Sequence, residues 1–119
     1  MKTQETYPLL KESLEFTADV IRYSEILERE NKRPIALRLL QSGMNINSYL
    51  FQAQTALRRD DVKTKLEKAK HSAEEVLYWL RQCVKSNYFG DDQRILRLGH
   101  KLSEKISHNI SSINVRENC

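Results

Sequence analysis

A chain of 119 residues has the length of one domain, and folding at that size buries roughly 60% or more of the unfolded chain's surface, enough for one core. Charged residues make up 30% and apolar ones 39%, with three Gly and two Pro, a composition that suits long amphipathic helices and excludes a many-turned β architecture. The net charge of +4 is segregated, since residues 1–30 carry four basic and seven acidic side chains and residues 31–119 sixteen basic and nine acidic.

That asymmetry has two readings. A basic surface can meet nucleic acid or an acidic partner, or the acidic start of the chain can lie beside its own basic neighbours. No apolar run approaches the length of a membrane span, and Met1-Lys2-Thr3-Gln4-Glu5-Thr6 has no apolar segment behind a basic start, so a soluble, cytoplasmic protein is expected. Cys83 falls on a helical seam and Cys119 is the final residue, which points to two free thiols in a reducing compartment.

Thr6-Tyr7-Pro8 opens a first helix, because proline is tolerated in a first turn where its missing N–H has no partner anyway. The helix is expected over about 8–29. Leu10, Leu14, Thr17 and Ile21 form one stripe on it and Phe16, Val20, Tyr23 and Leu27 a second, a wider apolar arc than one antiparallel neighbour covers. Glu30-Asn31-Lys32-Arg33 is the turn, and Pro34 starts helix two, expected over about 34–57. Its seam reads Ala36, Leu39, Gly43, Ile46, Leu50, Ala53, Leu57, with Leu37, Leu40, Met44 and Phe51 on an adjoining strip. Gly43 signals either a close backbone approach or a break in the helix.

Arg58-Arg59-Asp60-Asp61 is the second turn, with Asp60 or Asp61 as the cap of helix three, expected over about 61–86. Val62, Leu66, Ala69, Ala73, Val76, Leu80 and Cys83 alternate in steps of four and three, the seam of a helix packed along other helices. Asn87-Tyr88-Phe89-Gly90 closes it, Gly90 or Asn87 being candidates for a left-handed residue, and Asp91-Asp92 opens helix four, expected over about 92–113. Ile95, Leu98, Leu102, Ile106, Ile110 and Ile113 line one side, and the tail from Arg116 has nothing to pack and is expected to fray. Four such helices with short turns make an all-α, antiparallel up-down-up-down four-helix bundle in a single domain over 1–119.

Two stretches at the right separation carry a resemblance. Leu39-Leu40-Gln41-Ser42-Gly43-Met44-Asn45-Ile46, continuing to Ala53-Gln54, resembles the second-helix signature of the bacterial four-helix-bundle family first noticed as open reading frames in intervening sequences of 23S ribosomal RNA genes. Asp61-Val62, Lys65-Leu66, Ala69, Glu75 and Leu77-Tyr78-Trp79-Leu80 resemble its third-helix signature, and the resemblance spans about residues 10–90. It implies an up-down four-helix bundle without established enzymatic activity, assembled as a homo-oligomer, typically a pentameric ring. Retroelement accessory proteins that bind a reverse transcriptase and nucleic acid look like distant cousins. The chain departs from the pattern at Asn47, Ser48, Tyr49 and Gln52, where small residues and a Glu are usual, and at His71-Ser72, where a Lys-Glu pair is usual.

Two surfaces are candidate sites. Arg58, Arg59, Lys63, Lys65, Lys68 and Lys70 place cations as a phosphate backbone requires, although Asp60, Asp61 and Glu67 dilute them, and an ordinary solvated helix face has the same look. Leu37, Leu40, Met44 and Phe51, with Tyr78 and Trp79, are the candidate subunit interface; of the two aromatics Trp79 is expected to project most clearly from the seam. Neither an enzyme nor a cofactor is expected. There is no nucleophile elbow, no Gly-rich phosphate loop and no paired Glu-x-x-His, and His100, Glu104 and His108 on one helical face read as polar surface.

Overall fold

In the computed structural model four helices run alternately up and down: α1 (Thr6–Arg29), α2 (Arg33–Thr55), α3 (Arg59–Lys85) and α4 (Arg94–Glu117). The structure describes the backbone of residues 6–85 and 93–117 and the side chains of residues 8–83 and 93–114. The bundle measures 50 × 20 × 18 Å, each helix packing on its two neighbours in chain order, with α1 and α4 closing the circle through the loosest contact. Among the described residues no helix is long and apolar enough to cross a membrane.

Each helix turns its seam inward. Phe16, Val20, Tyr23 and Leu27 of α1 are buried against Ala36, Leu39, Ile46, Leu50 and Ala53 of α2 and the full α3 seam from Val62 to Cys83, while Ile95, Leu102, Ile106 and Ile113 complete the core from α4. Leu98 and Ile110 pack at its edge. Of the two stripes read on α1, the second is the core stripe; in the first only Thr17 is buried, whereas Leu14 and Ile21 face outward.

The turns explain the helix ends. Asn31 takes φ 62, a left-handed residue that lets the Lys32 N–H donate to the Leu27 carbonyl (2.8 Å) and the Asn31 N–H to that of Glu28 (3.1 Å), the paired closure that satisfies otherwise orphaned carbonyls. Lys32 gives α2 no side-chain cap, and Pro34 occupies its first turn instead. At the next turn the expected boundaries move. Ala56 is extended and ends α2 at Thr55, so Leu57 leaves the seam assigned to it and stands 86% exposed. Because α3 already begins at Arg59, Asp60 and Asp61 lie within its first turn, facing the positive end of the helix rather than capping it. The α3–α4 connection, with Asn87, Gly90, Asp91 and Asp92, lies outside the described residues. Beyond it, α4 stays helical to Glu117, past the point where fraying is expected.

α2 runs unbroken through Gly43. A Cβ there would meet Val20 at 3.4 Å, an ordinary contact, so tight approach does not demand glycine at that position. The tight one is Gly99, where a Cβ would come within 2.8 Å of Leu77 Cδ2 and 3.1 Å of Phe16 Cζ.

Candidate functional site

The α1–α2 seam is polar at its centre. Ser13 and Thr17, both buried, direct their hydroxyls at Asn47 Oδ1, Thr17 at 3.1 Å, and the Thr17 hydroxyl also lies 3.3 Å from the Gly43 carbonyl. These contacts fix an antiparallel register in which Phe51 stands level with Leu9, Met44 with Phe16 and Leu37 with Tyr23. They also orient α2. Asn47 points at α1, so Met44 and Phe51, three residues before and four after it, flank the α1 side of the helix.

Leu37, Met44 and Phe51 therefore form one straight ridge, two helical turns between members, exposed by 52%, 59% and 57%. Leu14 and Ile21 of α1 border it with further exposed apolar surface, and Leu40 lies half-buried at its edge. Scattered exposed apolar residues are ordinary, whereas these are aligned into one strip.

Tyr78 and Trp79 do not join this ridge. α3 meets α2 on the other flank, where the Ser42 hydroxyl donates to Glu75 Oε2 at 3.1 Å. There Trp79 is half-buried against the core, and Tyr78 is the outward one at 53% exposure, its ring edge-on to the indole at 5.1 Å and 81°. The expected order of the two aromatics is thus reversed. Trp79 sits toward the α2 flank of α3, where it finds packing that the seam positions alone do not reveal.

The six basic candidates are brought to one end of α3 but split between its flanks. Lys65 and Lys68 stand with their ammonium groups 6.0 and 5.8 Å from the Tyr49 ring of α2, and Lys68 and Tyr49 line a groove of about 410 Å³ together with Thr64 and His71. Lys63 and Lys70 lie in line with Leu77, the residue that meets Gly99 of α4, and so flank the other side. Arg58 is 3.8 Å from Asp60. In this groove His71 Nε2 lies 3.3 Å from Glu75 Oε1, with Tyr49 of α2 on the facing wall.

A surface not read from the sequence opens between α1 and α4. Two adjoining troughs of about 630 and 440 Å³ run from Pro8 to Arg22 along α1, with Leu9, Phe16 and Leu98 among their lining. Ion pairs tie their walls together, Glu12 to Lys105 at 2.9 Å and Asp19 to Arg94 at 3.7 Å. This is the second reading of the charge asymmetry in atomic form, the acidic first helix lying against its own basic neighbour. The signal in the sequence was the pairing of acids on α1 with Arg94 and Lys105, which needs the topology to be seen.

Glu104 and His108 line the first trough and His100 Nε2 stands 3.3 Å from Arg81 Nη2. Among the described residues no three of His, Cys, Asp and Glu gather as a metal-binding group. Cys83 is a buried free thiol, pushed by desolvation from 9.0 up to about 11. An unfolded chain loses this proton near 9.0 while the folded one keeps it to about 11, so stability should fall as pH rises across that window. Denaturant titrations at increasing pH should show the decline, and Cys83→Ala should remove that part of it.

Comparison with solved structures finds a protein of unknown function from the S23 ribosomal protein family of Bacteroides thetaiotaomicron VPI-5482, which superposes with a TM-score of 0.84 at 24% identity over 91% of this chain and 99% of that one. That likeness bears on the fold. No curated protein matches. The family model described as 23S rRNA-intervening sequence protein matches residues 5–112, nearly the whole bundle and both signature helices, and the chain belongs to that family.

Proposed function

We propose that the chain is a non-catalytic, self-associating scaffold of the cytoplasm, built to present one helical surface to another copy of itself. The observation that supports this reading is the ridge of Leu37, Met44 and Phe51 bordered by Leu14 and Ile21, an apolar face left exposed among the described residues. Family resemblance sets the expected assembly at a pentameric ring. Size-exclusion chromatography with light scattering tests it: a discrete species near five times the 14.0 kDa chain is expected, and a clean monomer removes the reading.

Nucleic-acid binding is a second reading, favoured by Lys65 and Lys68 bracketing Tyr49, since cations beside an aromatic ring suit phosphates and a stacked base. A ring repeats the groove, so weak contacts add by avidity. Anisotropy titrations with single-stranded RNA and DNA should then show affinity falling steeply with salt, and Lys65→Glu with Lys68→Glu should weaken binding across all sequences and lower the salt slope by about 1 per lost contact. Binding absent at low salt, or indifferent to the two reversals, excludes it.

A further inference from the structure

Resting on the nucleic-acid reading of the Tyr49 groove, we infer that this groove is one end of a track for single-stranded nucleic acid, whose second stacking platform is the exposed ring of Tyr78. Thr64, His71 and Tyr78 follow one another at intervals of two helical turns and so form one strip along the outer side of α3. The first two line the groove beside Tyr49 and Lys68, and the strip carries the same surface on to Tyr78. All three side chains are exposed.

Both ends of the strip have the same make-up, an aromatic ring with cations beside it. At the first, the Lys65 and Lys68 ammonium groups stand 6.0 and 5.8 Å from the Tyr49 ring. At the second, the Tyr78 ring rests edge-on against Trp79, with ring centres 5.1 Å apart, while the residue stays 53% exposed. Arg81 follows Tyr78 by one turn, and its guanidinium donates to His100 Nε2 at 3.3 Å, a neutral acceptor that leaves its charge uncompensated. On the other helix, Arg38, Ser42, Asn45 and Tyr49 succeed one another by four, three and four residues along the α3 side of α2. The Ser42–Glu75 hydrogen bond sets the antiparallel register, so exposed Arg38, one turn before Ser42, stands level with Trp79, one turn after Glu75.

The spacing and the chemistry select the ligand. The same register puts Tyr49 level with Lys68, so the two platforms lie about 15 Å apart along the helices at 1.5 Å per residue. That is four to five steps of a stacked strand at ~3.4 Å per nucleotide. A base lies on a ring only when it is unpaired, whereas a duplex offers such a surface little beyond phosphate. Arg38, Lys65, Lys68 and Arg81 stand against Glu67, Glu74 and Glu75, a weakly basic balance. The rings, not the charge, must therefore tell a base-bearing strand from any other polyanion.

Trp79 is the chain's one tryptophan and touches the second platform, so its fluorescence reports occupancy there, away from the Lys65–Lys68 end. A single-stranded RNA of about twelve nucleotides should bind at low salt and quench Trp79, and Tyr78→Ala should weaken binding roughly 5- to 150-fold, the worth of one base–aromatic stack. Tyr78→Phe, which keeps the ring, should bind as the wild type does, with circular dichroism confirming that both variants keep their helices. Binding that is lost in Lys65→Glu with Lys68→Glu but unchanged in Tyr78→Ala, with Trp79 unquenched, overturns the second platform and leaves the groove reading standing. The same strand in a duplex, or poly-glutamate, bound as tightly as the single strand overturns stacking as the basis of recognition. A single strand that does not bind at low salt sinks the groove reading itself.

Discussion

Leu80→Ala should lower folding stability by about 2–5 kcal/mol, the range for truncating a large aliphatic side chain in a core that relaxes only partly. Leu80 has no exposed surface and lies on the α3 seam within the buried core of the bundle. Tyr78→Ala, two residues away, should cost much less, since its ring is more than half exposed and its main contact is the edge-on one with Trp79. Chemical denaturation followed by circular dichroism checks both, and equal effects at the two positions would mean that α3 is rotated from the orientation described.

Met44→Glu should do the opposite, leaving the bundle intact and abolishing assembly. At 59% exposure the side chain contributes little to the folded monomer, so its replacement should change stability by no more than about 0.5 kcal/mol. At the centre of a closed apolar contact, however, a carboxylate must be desolvated without a partner, a cost of several kcal/mol and at least a 100-fold loss in association constant, taking about 1.4 kcal/mol per tenfold. Tyr78→Glu provides the control, because Tyr78 stands on the opposite flank of α2 from the ridge. Sedimentation velocity on the three proteins separates a loss specific to the ridge from a general effect of added charge.

The seams were legible because burial in a bundle imposes a period near 3.6 on the chain, and Val62 to Cys83 or Ile95 to Ile113 satisfy it without interruption. The ridge was legible for the same reason, as a second period displaced from the first. Three features were not. Leu57 continued the apolar pattern past the end of α2, and only the extended Ala56 shows that the helix stops before it. Trp79 and Tyr78 exchanged roles because flank packing depends on which neighbour lies on which side, a property of topology and not of spacing. The trough between α1 and α4 depends on how far apart two helices settle, and no local pattern encodes that distance; the acids of α1 and the bases of α4 become a wall only once they face each other.

Polar burial follows a similar rule. Thr17 was read into an apolar stripe and Ser13 and Ser24 into none, yet all three are buried: Ser13 and Thr17 turn their hydroxyls to Asn47, and Ser24 donates to the Val20 carbonyl at 2.8 Å. Small side chains there let α1 and α2 come close, and satisfied hydrogen bonds keep their burial from costing stability. The same contacts set the register of α1 against α2 and with it the level at which the exposed ridge stands.

The α1–α2 face is expected to meet another copy of the chain. A sedimentation concentration series on the wild-type protein, carried to about 100 μM and so well above the micromolar range of ordinary specific contacts, tests it most directly. A closed species of fixed mass, a small whole multiple of 14.0 kDa, is the predicted result. A single boundary at 14.0 kDa across the series would contradict it.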